Sequence, residues 1–253
     1  MRNPVVSFAR RTARQTIRKL GYEVVKSPYR YSGQAYGPIL PTATYTPWNL
    51  DEEFLKVYAA IKEATLIDVY RCWELWTLTE QAAKVPGSLI EVGTWRGGSG
   101  ALIAARARQG GLTDPVYLCD TFRGVVKTGP RDPVYTGGEH ADTSRGLVEA
   151  LVFDTLKLDN VRILEGIFPD ETGPQVEGER FRLCHIDVDV YESARGVVEW
   201  IDARMGVGSI YVYDDYGNMS TAGITRLVDE QGALPDRVVL YNLNGHAVVI
   251  RIA

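Results

Sequence analysis

Cysteine and histidine are both scarce in this 253-residue chain, at three residues each. Cys72, Cys119 and Cys184 stand far apart with no CxxC pair, which excludes a disulfide framework and a thiolate zinc cluster and fits a reducing cytoplasm. No apolar run approaches the roughly 20 residues that span a bilayer, and the N-terminus lacks the apolar centre that a secretory signal needs. No tyrosine–lysine pair spaced four apart follows the chain's main glycine cluster; Tyr22 and Lys26 stand before it. That absence weakens nicotinamide-dependent carbonyl chemistry, in which such a pair would transfer the proton.

With 45% hydrophobic and 24% charged residues, the chain has the composition of a soluble globular α/β protein. Its net charge of −4 hides an asymmetry. The first 30 residues carry eight Lys and Arg against Glu23 alone, leaving 20 basic and 31 acidic residues in the remainder. An acidic body makes nucleic acid an unsuitable partner. "FARRTARQTIRKL" brings Phe8, Ala13, Ile17 and Leu20 near one helical face, a pattern shared by membrane-surface helices and presequences. The plainer reading, a surface helix or tail without membrane contact, is preferred.

Residues 31 to 49 are rich in Pro, Gly, Thr and Tyr and predict an extended connector. Helical spacing follows in "DEEFLKVYAAIKEAT", with Phe54, Val57 and Ile61 on one face, and in "TLIDVYRCWELWTLTEQAA". After Pro86-Gly87 the pattern changes to short strand-like runs, "SLIEVG", "PVYLCD", "VRILEG", "FRLCHIDVDV" and "SIYVYDD", separated by longer segments. This alternation predicts a parallel sheet with crossover helices. Ligands bind such sheets beyond the carboxyl ends of the strands. Acidic residues occupy those ends: Glu91, Asp120, Asp187 with Asp189, and Asp214 with Asp215.

The first of these runs leads into "EVGTWRGGSGALIAARA", where glycines at 93, 97, 98 and 100 open a helix and let a ligand approach the backbone. The spacing is neither a phosphate-binding GxxxxGK[ST] nor a dinucleotide-binding GxGxxG. Asp120, at the end of the next strand, can accept from both hydroxyls of a ribose, and Glu91 suits a ligand with a cationic amino-acid portion such as S-adenosyl-L-methionine. Asp187, Asp214 and Asp215 come from neighbouring strand ends, and clustered hard oxygen donors suit Mg²⁺, Mn²⁺ or Ca²⁺ rather than zinc. With 187 and 189 of one parity, both carboxylates are expected on the same side of the strand.

"EVGTWRGG", "DTFRG", "HIDVDVYES" and "YVYDDYG" resemble, in order and spacing over residues 88 to about 230, the macrocin/mycinamicin-type (TylF-like) sugar O-methyltransferases. The resemblance implies a class I methyltransferase (Rossmann-like) fold, a seven-stranded, mainly parallel sheet with helices on both faces and an N-terminal helical extension. "GHAVVIRIA" would supply the antiparallel strand. It divides the chain into residues 1–85, a basic segment, connector and helical cap, and residues 86–253, the methyltransferase domain. Glu91, Gly93, Thr94, Trp95 and Asp120, Thr121, Phe122, Arg123 and Gly124 would line the S-adenosyl-L-methionine site, completed by Thr65, Leu66, Ser144, Gly166 and Ile167. Asp187, Asp214 and Asp215 would hold Mg²⁺ or Mn²⁺.

The implied reaction is methyl transfer to a hydroxyl of a sugar-containing small molecule or glycan. Asp187 is the base the resemblance favours, with Asp189 and His140 as further catalytic candidates and His185 and His246 behind them. The first 50 residues and "NLNGHAVV" depart from the antibiotic-sugar members. Residues 125 to 142 are expected to form a lid, with Lys127, Tyr135, Glu139 and His140 as acceptor contacts. A homo-oligomer acting in the cytoplasm is implied, and a nucleotide-sugar oxidoreductase is the alternative.

Overall fold

A computed structural model describes residues 43–253 and, before them, only residues 17, 19, 35–37 and 39. The basic stretch, and with it any membrane contact, therefore lies outside the described residues but for positions 17 and 19. The predicted connector ends in a 3₁₀ turn, Pro47–Leu50, and Asp51 then caps α1 (Glu52–Ile61) by accepting from the Phe54 amide at 2.9 Å. Glu52 and Glu53 in the first turn complement the helix dipole. Phe54, Val57 and Ile61 form the buried stripe. Asp68 caps α2 (Val69–Ala82) in the same way, and Trp76 of α2 donates to Asp51 at 3.2 Å, tying the two helices at the first one's cap.

The strands are β1 (Ser88–Val92), β2 (Val116–Asp120), β3 (Val161–Glu165), β4 (Phe181–Ile186), β5 (Met205–Tyr213), β6 (Arg237–Tyr241) and β7 (Ala247–Arg251). They form one sheet in the order β3-β2-β1-β4-β5-β7-β6. β1 to β5 run parallel to one another, and β7 is antiparallel to both β5 and β6. The antiparallel strand expected from "GHAVVIRIA" is thus β7; β6 was not foreseen. β1 and β4 are buried along their whole length, as central parallel strands covered on both faces must be.

The remaining helices are α3 (Gly98–Gln109), α4 (Arg145–Glu149, continued by a wider π turn through Thr155), α5 (Tyr191–Ile201) and α6 (Ala222–Gly232). Leu89, Leu118, Leu183 and Val212 face a core shared with α1, α2 and α3, whereas Ile90, Cys119, Ile186 and Tyr213 face α5 and α6. The small residues of α3, Ala101, Ala104, Ala105 and Ala107, leave room for α1 and α2 to cover it. α1 and α2 thus pack with the sheet in one compact unit that runs from Tyr45 to Ala253 and crosses the expected division at residue 85. No helix among the described residues is long and apolar enough to cross a membrane.

Phe54 is wholly buried and meets Tyr58, Trp73 and Trp76 edge-on or stacked. Phe54→Ala is expected to remove about 3–5 kcal/mol of stability in a single unfolding transition followed by urea and circular dichroism. A separate cap would instead melt alone and leave the main transition in place.

Candidate active site

β1 and β4 exit the sheet so closely that a Cβ at Gly93 would overlap the carbonyl oxygen of Asp187. Gly93 has φ 92°, in the left-handed region where glycine is at no disadvantage. The turn continues through Trp95 (φ 47°) and Gly97 (φ 87°) into α3. Gly98 donates its amide to the Ala64 carbonyl at 2.9 Å, which brings Thr65 and Leu66 alongside the turn. The result is a cavity of about 230 Å³ at the carboxyl ends of the strands.

Its wall includes Thr65, Leu66, Gly93, Thr94, Trp95, Asp120, Thr121, Gly124, Gly166 and Ile167 of the expected donor site. Asp120 accepts from the amides of Trp95 and Phe122, both at 2.7 Å, so it clamps the glycine turn to the loop after β2. A carboxylate has about four lone-pair sites, and those left over remain for a ligand. Four expected donor residues are not on the wall. Glu91 shares a sheet face with Leu89 and lies wholly buried beneath the turn, accepting from Thr94 and facing His185 Nδ1 at 2.9 Å. Phe122 packs against the core, Arg123 points outward near Glu171, and Ser144 caps α4.

The other half of the wall is acidic. Asp187, Asp189, Asp214 and Asp215 all line it. β4 ends at Ile186, and Asp189 (φ 64°) and Asp215 (φ 67°) both take left-handed backbone. Shared strand parity therefore does not set the direction of Asp189; the turn does. Asp187, Asp214 and Asp215 each offer an oxygen within 4.8 Å of the others, a donor set suited to a hard divalent cation.

Charge crowding sorts these groups. Burial, then the neighbouring carboxylates Asp214 and Asp215, push Asp187 well above the usual range. Burial and the charges of Asp214 and Asp189 push Asp215 up to about 8. Burial also works to raise Asp214, but the contact with His246 and the charges of His246 and Arg71 outweigh it and hold Asp214 below the usual range. Arg71 Nη1 reaches both Asp214 oxygens, at 2.7 and 2.9 Å.

Arg71 is the only lysine or arginine on the described wall and was missed at the sequence level. Its signal was a basic residue beside buried Cys72, one helical turn after the Asp68 cap. Of the expected lid residues, Tyr135 and His140 reach the wall, Tyr135 donating to Asp189 at 2.7 Å. Lys127 pairs with Asp170 at 2.8 Å, and Glu139 is used by the amides of Thr136 and Gly137. The segment is not free-standing. Asp132 accepts from the Gly129 and Tyr191 amides, both at 2.9 Å, and Ser193 bonds the Val126 carbonyl at 2.8 Å.

Fold and site together define a class I methyltransferase: a seven-stranded sheet of this order, with a glycine turn after β1 and an acid after β2 beside the cavity. Residues 61–232 match the model of the macrocin-O-methyltransferase (TylF) family, and the chain belongs to that family. It is 31% identical over 147 residues to the 8-demethyl-8-(2,3-dimethoxy-α-L-rhamnosyl)-tetracenomycin-C 4'-O-methyltransferase of Streptomyces olivaceus, covering 54% of this chain and 56% of that enzyme. It is 30% identical over 166 residues to the mycinamicin III 3''-O-methyltransferase of Micromonospora griseorubida, covering 60% and 65%. The chain thus spans little more than half the length of the curated relatives it matches. The solved O-methyltransferase NovP superposes with a TM-score of 0.63 at 25% identity, covering 75% of this chain and 83% of that one.

Burial and neighbouring carboxylates raise both Asp187 and Asp215, so a divalent cation bound there would displace protons. Cation affinity is therefore expected to rise with pH through neutrality and above. Titration calorimetry at pH 7 in buffers of different ionisation enthalpy should register proton release, and a pH-independent affinity would contradict the assignment.

Proposed function

We propose that this chain is an S-adenosyl-L-methionine-dependent, divalent-metal-dependent O-methyltransferase whose acceptor is a sugar hydroxyl of a glycosylated natural product, nucleotide-sugar or glycan. The observation that carries this reading is the two-sided wall: glycine turn and Asp120 on one side, Asp187, Asp214 and Asp215 on the other. Family membership supports the methyl-transfer chemistry, and the relatives' names, which specify 4' and 3'' oxygens, support a sugar acceptor.

In this reading Thr65, Leu66, Gly93 to Trp95, Asp120, Thr121, Gly124, Gly166 and Ile167 hold the donor, with Asp120 positioned for its ribose. Transfer forms one C–O bond, breaks the donor's C–S bond and leaves the acceptor proton for a base. Asp187, Asp189 and His140 are the wall groups able to take it, and Tyr135 fixes Asp189 for that task. Mg²⁺ or Mn²⁺ at Asp187, Asp214 and Asp215 would lower the acceptor hydroxyl's pKa and relieve the repulsion among the carboxylates. Arg71 and His246 hold Asp214, while Val92, Val125 and Phe168 supply an apolar part of the wall that limits water. The nicotinamide alternative lacks its tyrosine–lysine pair, since the described wall carries no lysine. A homo-oligomer acting in the cytoplasm belongs to the same proposal.

A ligand at 100 times its Kd stabilises by about 2.7 kcal/mol, roughly 5–10 °C for a domain of this size. S-adenosylhomocysteine should produce such a shift in a thermal melt and NAD should not; the reverse would reject the proposal. Asp187→Asn should abolish methyl transfer, and retained Mg²⁺-dependent turnover would remove Asp187 from its double role.

A further inference from the structure

Asp214 is gripped from two elements at once, and the residues that grip it come from parts of the chain far apart in sequence. Arg71 of α2 approaches both of its oxygens, at 2.7 and 2.9 Å. His246, immediately before β7, places Nε2 3.0 Å from Oδ1. The His246 ring is wholly buried, and its Nδ1 lies 2.6 Å from Oε2 of Glu74, one turn beyond Arg71 on the same helix. Glu74 is itself held by the β6–β7 turn: Asn242 donates to Oε1 and Asn244 to Oε2, the latter at 3.1 Å. Asn244 then accepts from the His246 amide at 2.9 Å. This turn is the "NLNGH" stretch that departs from the antibiotic-sugar members and that the reaction itself leaves unused.

We propose that His246, oriented by Glu74, is a positioning residue that holds Asp214 in place as a ligand for the divalent cation. The inference rests on the metal-dependent reading above. A carboxylate has about four lone-pair sites. Arg71 uses one on each oxygen, which leaves one on each for a cation. His246 Nε2 meets Oδ1 at ion-pair distance from a second direction, whereas Arg71 alone would let the carboxylate pivot about the guanidinium. Besides Glu74 and Asp214, the ring of His246 faces the ring of His185, 5.7 Å away between centroids. Residues that hold a metal-ligating side chain in this way typically change metal affinity by about 10- to 100-fold when removed.

The test measures Mn²⁺ affinity directly, by the electron paramagnetic resonance signal of free Mn²⁺ over the metal-free full chain, with melting temperatures as the control for folding. His246→Gln is expected to weaken Mn²⁺ binding about 10- to 100-fold. Glu74→Ala should weaken it comparably, while Glu74→Gln, whose amide oxygen still accepts from Nδ1, should recover part of the loss. Should His246→Gln fail to fold, the contrast between Gln and Ala at position 74 decides. Folded variants with lowered melting temperatures but wild-type Mn²⁺ affinity would reduce the pair to a structural role and overturn the proposal alone. A wild-type chain that binds no Mn²⁺ would overturn both this proposal and the metal reading beneath it.

Discussion

Four carboxylates meet where β4 and β5 leave the sheet, and their mutual repulsion is the constraint around which the rest of the site is arranged. Buried like charges at these separations cannot all ionise without counter-ions. The chain answers by treating them unequally. Asp214 receives Arg71 and His246 and is kept below the usual carboxylate range. Asp189 receives the Tyr135 hydroxyl. Asp187 and Asp215 are driven upward by burial and by their neighbours. The same cluster thus contains a committed anion and two groups that would give up protons to a cation.

Holding this arrangement requires a rigid frame, and the two cores supply it. The face toward α1, α2 and α3 places Arg71 and Glu74 over the ends of β5 and β7, while the face toward α5 and α6 fixes the exits of β4 and β5. Left-handed backbone at Asp189 and Asp215 is locally unfavourable, although Asp tolerates it better than most residues. Such conformations persist where surrounding structure over-determines them. Here the Asp187 amide bonds the Val92 carbonyl at 2.9 Å and the Asp214 amide bonds the Ile186 carbonyl at 3.0 Å, so the ladder anchors both turns immediately upstream.

Much of this was legible because it is local. Short apolar runs bounded by turn residues read as the buried strands β1 to β5, and acids at their carboxyl ends marked the crevice. The misreadings came from stepping beyond local pattern. Glu91 ends its strand like the other acids, but its parity with Leu89 turns it into the core, toward Thr94 and His185. At Asp189 strand parity is not what sets the direction, because β4 stops three residues earlier and the turn brings Asp189 to the same wall as Asp187. Arg71 and Glu74 meet partners more than 140 residues away. No spacing rule encodes that contact; it follows from α2 folding back over the sheet.

The segment after β2 shows how the two sides of the cavity become one object. Its glycines and polar residues suggest a lid, yet Asp132 bridges the Gly129 and Tyr191 amides and so binds the segment to the start of α5. At its far end Asp142 accepts from the Trp95 indole at 2.9 Å and from Arg96 at 2.6 Å, joining it to the glycine turn. Tyr135 and His140 are therefore presented from a strap tied to both halves of the cavity. A wall preorganised in this way reduces the ordering cost of binding. It also makes the geometry around Asp189 depend on the glycine turn some 90 residues earlier, so that the two sides of the cavity share one set of tethers.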